Sequence, residues 1–178
     1  MVAVESRAAR LMTWIALVLV LLIDAGYLGL MLGQGGHETD EVAVLFVGAY
    51  LGLMAAMLGI SLLQRQATIA LRSGAAGGLI VLGVVAIFSI GLPIVIAGAV
   101  ATGAAVRTMS RTFRRRSAFS GVAAAAIAVA VLIAGFEVST RVIICPSTGV
   151  TAGSSSGFVT SGVHYECING RLSMHEGQ

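Results

Sequence analysis

Apolar residues run along this chain in four long blocks, at 11–33, 42–63, 74–106 and 118–136, and the polar and charged residues fall almost entirely between them. Three of the blocks have the length of single membrane spans, since about 20 helical residues rising 1.5 Å each cross a hydrocarbon core of about 30 Å. The third does not. Its roughly 33 residues would make a helix of about 50 Å, beyond ordinary tilt and mismatch. Gly91-Leu92-Pro93 interrupts it near the middle. Glycine ends helices and proline starts them, so this tripeptide can be a tight turn between two helices; it can also be a kink, because helices in lipid tolerate proline.

Charge placement separates the two readings. If 74–106 is a hairpin, one side of the membrane receives Arg7, Arg10, Arg65, Arg72, Arg107, Arg111, Arg114, Arg115 and Arg116. The other side then receives Arg141 and Arg171 with the acidic Glu38, Asp40, Glu41, Glu137, Glu166 and Glu176. If it is one helix, Arg107 to Arg116 lie opposite Arg65 and Arg72. The positive-inside rule favours the hairpin, with a cytoplasmic N-terminus and an extracytoplasmic C-terminus. The expected fold is an all-α integral membrane protein of the cell membrane: a bundle of five transmembrane helices (four if 74–106 is one long helix) over 1–137. The spans are expected at about 11–33, 42–63, 70–90, 93–110 and 118–137. Both hairpin helices must extend inward past an arginine, with Arg72 and Arg107 snorkelling to the inner interface.

Composition agrees with lipid as the main solvent. The chain is 57% hydrophobic and 11% charged, against about 25% charge in a soluble domain. All basic residues are Arg, and the net charge of +3 lies beside apolar runs, where topology accounts for it without nucleic acid as a partner. The first block is too long for the apolar core of a cleavable signal, about 7–15 residues, and Gly33-Gln34-Gly35-Gly36 is a poor match to a cleavage site. It is read as a retained first span.

Small residues recur at four-residue spacing in Ala25/Gly29/Gly33, Gly48/Gly52/Ala56, Ala97/Ala101/Ala105 and Ala126/Ala130/Ala134. Such stripes let backbones approach closely, within a bundle or against a partner. A short echo, Tyr27-Leu28-Gly29-Leu30-Met31 and Tyr50-Leu51-Gly52-Leu53-Met54, is read as coincidence, because transporter repeats comprise several helices each.

Asp24 is the candidate that carries chemistry. A carboxylate near a helix centre in lipid costs about 2.5–3.5 kcal/mol on insertion scales, so it calls for a reason. Tyr27, one turn on, is placed to hydrogen-bond to it. Asp24 can lock helices together, couple a proton or cation, or dock a partner. Ser89 and Thr102 are possible polar neighbours, but a pair of hydroxyls makes no proton path. Arg107, Arg111, Arg114, Arg115 and Arg116 fit anionic headgroups of the inner leaflet, at about 1 kcal/mol each, although topogenesis alone explains them. Glu137 and Arg141 have the spacing of an i,i+4 ion pair. His37 beside Glu38, Asp40 and Glu41 is read as a solvated loop, with no metal site expected even with His164 and His175 in the same chain. No cofactor motif is present.

The tail, 138–178, holds the two cysteines of the chain, Cys145 and Cys167. On an oxidising side they are expected to form a disulfide closing a loop of about 23 residues, worth on the order of 3 kcal/mol. Val142-Ile143-Ile144, Phe158-Val159-Thr160 and Val163-His164-Tyr165 have strand composition, and 149–157 is rich in Gly and Ser. A small disulfide-closed lobe follows, pictured as a β-hairpin with a flexible tip. The functional expectation is a non-enzymatic scaffold or accessory subunit, with lipid and a membrane-protein partner or a second copy as its company. The alternative is a small proton- or cation-coupled carrier or channel subunit using Asp24.

Overall fold

A computed structural model describes residues 7–33, 41–64, 68–88, 90–109, 115–139, 141–143, 145, 147–155 and 163–176. Among them are five helices, α1 (Arg7–Gly33), α2 (Glu41–Leu63), α3 (Thr68–Val85), α4 (Gly91–Met109) and α5 (Arg115–Ser139). All five are long and apolar enough to cross a membrane. Three strands follow, β1 (Val150–Ser155), β2 (Val163–Ile168) and β3 (Arg171–Glu176). By contact density the chain falls into two compact units, Met1–Gly29 with Gly48–Leu132, and Leu30–Val47 with Ile133–Gln178.

The long third block is two helices. Its turn lies earlier than expected, between Val85 and Gly91, and Gly91-Leu92-Pro93 forms the first turn of α4 instead. The reason is local. Pro93 sits where a helix has backbone N–H groups to spare. Gly91 sits against the Gly83 and Ala86 carbonyls, in a space no side chain could share, and its N–H donates to the Ala86 carbonyl at 2.8 Å.

In the first unit α3 is the central element. Gly74, Ala75, Ala76, Gly78, Leu79, Leu82 and Gly83 are all buried. Its glycines admit its neighbours: a Cβ on Gly77 would lie 2.8 Å from the Ala125 Cβ of α5 and 3.3 Å from its Cα. On α4, a Cβ on Gly98 would lie 3.1 Å from the Ile80 backbone nitrogen of α3. Close backbone approach of this kind is how helices associate where the hydrophobic effect does not drive them together. Tyr50 of α2 is buried, fills the space over Gly78 with Met54, and donates its hydroxyl to the Ala128 carbonyl of α5 at 2.9 Å. Its counterpart in the sequence echo, Tyr27, is half-buried without that role.

The four small-residue stripes have different fates. Ala97, Ala101 and Ala105 are buried, and Gly48 is buried with Gly52 half-buried, while Ala56 is exposed. Ala25, Gly29 and Gly33 on α1 face outward, as do Ala126, Ala130 and Ala134 on α5. The α5 face that packs inward is carried by Ala124, Ala125, Ala128 and Leu132.

In the second unit, Phe46 and Phe136 meet edge to face with ring centroids 5.3 Å apart, and Gly135 leaves the room that Phe46 occupies. Glu137 and Arg141 form the expected i,i+4 pair at 3.6 Å. The lobe is a three-stranded antiparallel sheet in the order β1-β2-β3, one strand more than a hairpin. Val150–Ser155, expected within a flexible tip, pairs with β2 as its edge strand. Val142 and Ile143 lie outside the sheet, and 158–160 lies outside the described residues. β2 and β3 are joined by Asn169-Gly170, both with positive φ (47° and 78°), the two-residue turn whose twist matches that of the flanking strands. The Asn169 N–H donates to the Gly149 carbonyl at 2.9 Å, and its side-chain oxygen accepts from the Gly149 N–H at 3.1 Å. Tyr165 covers Gly153 across the β1-β2 pair. Cys145 and Cys167 are disulfide-bonded, with Cα atoms 5.5 Å apart.

Candidate functional site

Two polar features lie within the apolar helices of the first unit. The first is Asp24, on α1, whose carboxyl faces a notch on α2. The notch exists because two positions one turn apart, Gly48 and Gly52, lack side chains. A Cβ on Gly48 would lie 3.5 Å from Asp24 Oδ1, and one on Gly52 would lie 4.0 Å from Oδ2. Leu28 closes the notch from the same helix as Asp24, its Cδ2 2.9 Å from that Gly48 position. Oδ1 is shielded from solvent and has no hydrogen-bond partner among the described residues, so the bond anticipated from Tyr27 is not made to it. What faces this oxygen is glycine Cα–H, a weak donor at best.

The second feature was not anticipated. Arg72, expected to snorkel to the interface, is fully buried. Its Nη1 donates to Thr108 Oγ1 of α4 at 2.8 Å, and its Nε reaches Ser61 Oγ of α2 at 3.4 Å. Each hydroxyl in turn donates to its own helix, Thr108 to the Ala104 carbonyl at 2.8 Å and Ser61 to the Leu58 carbonyl at 2.7 Å. Both oxygens therefore keep lone pairs for the guanidinium. The arginine ties the adjoining ends of α2, α3 and α4 together. Acceptors supplied by neighbouring helices are reached without stretching the side chain to the interface, which is why it turns inward. The signal was in the sequence: a hydroxyl residue within one turn of the end of each flanking span, Ser61 and Thr108.

The remaining candidates scatter. Thr102 donates to the Gly98 carbonyl of its own helix at 2.8 Å, so it extends no proton path from Asp24. Ser89, His37, Glu38, Asp40, Arg111 and Arg114 lie outside the described residues. Arg107 is exposed in the last turn of α4, and Arg115 and Arg116 open α5. In the lobe, β2 and β3 set His164 opposite His175 in register. Among the described residues no three His, Cys, Asp or Glu side chains form a group able to hold a metal ion. No family model, curated protein or solved structure matches the chain.

Proposed function

We propose that this protein is a non-enzymatic five-span membrane scaffold or accessory subunit of the cell membrane. In this reading its N-terminus is cytoplasmic and its disulfide-closed lobe extracytoplasmic. The observation that carries the reading is the outward direction of two small-residue stripes, Ala25/Gly29/Gly33 on α1 and Ala126/Ala130/Ala134 on α5. Nothing lies within 4 Å of a Cβ built on Gly26, Gly29 or Gly33. Faces of this kind are where another helix in lipid can approach most closely, and the bundle's own packing leaves both unused. The occupant is a second copy or a partner's membrane helix. Native electrophoresis in mild detergent tests this. A species larger than the monomer is expected, lost on Gly29→Leu or Ala130→Leu and kept on Leu22→Ala. A monomer throughout, or a complex indifferent to both stripe substitutions, would refute it.

A second reading, a proton- or cation-coupled carrier or channel subunit, is favoured by one observation: the Asp24 oxygen held in the Gly48/Gly52 notch without a donor among the described residues. Asp24→Asn separates the two. Coupling predicts that ion flux into proteoliposomes collapses while insertion and accumulation stay normal. A structural carboxyl predicts that assembly and growth survive the change.

A further inference from the structure

The connection between α3 and α4 differs in kind from the others. Residues 34–40 carry His37, Glu38 and Asp40, 64–67 carry Arg65, and 110–114 carry Arg111 and Arg114. Between Arg72 and Arg107 there is no charged residue at all, and the connection itself is built from Ala86, Ile87, Phe88, Ser89 and Ile90. A loop in water has no reason to be this apolar.

Several of the side chains here are turned away from the described fold. Phe88 is 102% exposed, Leu92 66%, Val84 56% and Ile87 52%, so the tip and the turns beside it form one outward apolar surface. Part of the backbone, by contrast, is self-satisfied. The Ala86 N–H donates to the Leu82 carbonyl at 2.9 Å, Ile87 to Val84 at 3.4 Å and Gly91 to Ala86 at 2.8 Å. Pro93 removes one more donor that the first turn of α4 would otherwise leave open. Exposed apolar side chains over a bonded backbone are what lipid demands of a turn and what water does not.

Length points the same way. α3 has 18 residues and α4 has 19, about 27 and 29 Å of helix. Their other ends carry Arg72, hydrogen-bonded to Thr108, and Arg107. From Arg72 to Val85 the rise is about 20 Å and from Arg107 back to Gly91 about 24 Å, so both helices end short of the far edge of a hydrocarbon layer of about 30 Å.

We propose that the α3–α4 tip is inserted in the leaflet opposite Arg72 and Arg107, with Phe88, Ile87 and Leu92 seated among acyl chains. The occupant of this surface is lipid. The chain there makes a submerged turn, and the α3–α4 pair carries a hydrophobic anchor at the end away from Arg72 and Arg107. This rests on the reading of the five helices as membrane spans, and the test separates the two.

Trp14 is the single tryptophan and lies exposed on α1. The full-length protein, reconstituted in phosphatidylcholine vesicles, is compared with a Trp14→Phe, Phe88→Trp variant whose sole indole marks the tip. Quenching is measured with lipid brominated on its acyl chains and, separately, with iodide on both sides of the membrane. The expected result is a blue-shifted emission from position 88, quenched several-fold more by brominated lipid than by iodide. Val150→Trp in the same background, on the exposed start of β1, should show the reverse. Iodide quenching at position 88 with no response to brominated lipid would put the tip in water and overturn the proposal. Silence towards both quenchers would mean that protein covers it, which overturns it equally. Trp14 of the wild type reports on the spans themselves: if brominated lipid fails to quench it, the membrane reading falls, whereas quenching there with a wet position 88 sinks only the tip. Leu92→Trp provides a second site where Phe88→Trp alters the helical circular dichroism.

Discussion

Replacing Thr108 by valine keeps the shape of the side chain and removes the acceptor that lies 2.8 Å from Arg72 Nη1. A hydrogen bond to a charged group contributes about 1.5–3 kcal/mol, and a buried charge that loses one also keeps its desolvation cost. The expected loss of stability is about 2–3 kcal/mol. Ser61 stands 3.4 Å from Nε, near the limit of a useful hydrogen bond, so Ser61→Ala should cost about 1 kcal/mol or less. The hydroxyls' own bonds to the Ala104 and Leu58 carbonyls contribute little to this difference, because those carbonyls already serve their helices. Arg72→Lys should be as harmful as Thr108→Val: the ammonium keeps the buried charge but lacks the fork that addresses α2 and α4 together. Arg72→Met should be milder than Arg72→Lys, since it removes the charge that must be desolvated. Reversible unfolding in mixed micelles, followed by circular dichroism against a denaturing detergent, gives the free energies. A double-mutant cycle completes the case, for Thr108→Val in the Arg72→Met background should lose most of its effect. The reasoning fails if Ser61→Ala costs as much as Thr108→Val, or if the cycle is additive. Either result would mean that the bond to Thr108 is not what holds Arg72 in place.

Three further outcomes follow from other contacts. Tyr50→Phe should cost about 1 kcal/mol in the same unfolding assay, the worth of one neutral hydrogen bond to the Ala128 carbonyl; no change would mean that the ring alone serves there. Gly77→Leu drives a side chain into Ala125, where even a Cβ would lie 2.8 Å from its Cβ. Overpacking of this kind costs about 1–3 kcal/mol and should lower the unfolding midpoint clearly more than Gly26→Leu, which meets open space. Gly170→Ala puts a side chain at φ 78° in the β2-β3 turn, at a cost of about 1–2 kcal/mol. It should speed proteolysis of the lobe while leaving the helical circular dichroism intact, and an unchanged cleavage rate would argue against the turn.

The number of helices and the splitting of the third block were legible in the one-dimensional pattern, because roughly 33 apolar residues exceed the length of one span and Gly91 and Pro93 interrupt them. The disulfide was legible as well, from two cysteines in a segment expected on the oxidising side. β1 was not, since its Gly and Ser content resembles a linker, and it becomes a strand by pairing with β2 and by the Tyr165 ring covering Gly153. The Asn169-Gly170 turn is readable from its dipeptide.

Which polar group does what was decided by the tertiary structure. Asp24 is conspicuous in any hydropathy reading, but that Oδ1 has no donor among the described residues depends on Gly48 and Gly52 of another helix facing it. Arg72 reads as a snorkelling interface residue and becomes a buried clamp because Ser61 and Thr108, far apart in sequence, end up beside it. The stripes make the same point: four are equivalent as sequence, and only packing sends Ala97/Ala101/Ala105 inward and Ala126/Ala130/Ala134 outward. Hydropathy is a sum over neighbours along the chain, so it determines solvent and span. Partners are chosen across helices, by which side chains leave room and which supply an acceptor, and no one-dimensional sum contains that.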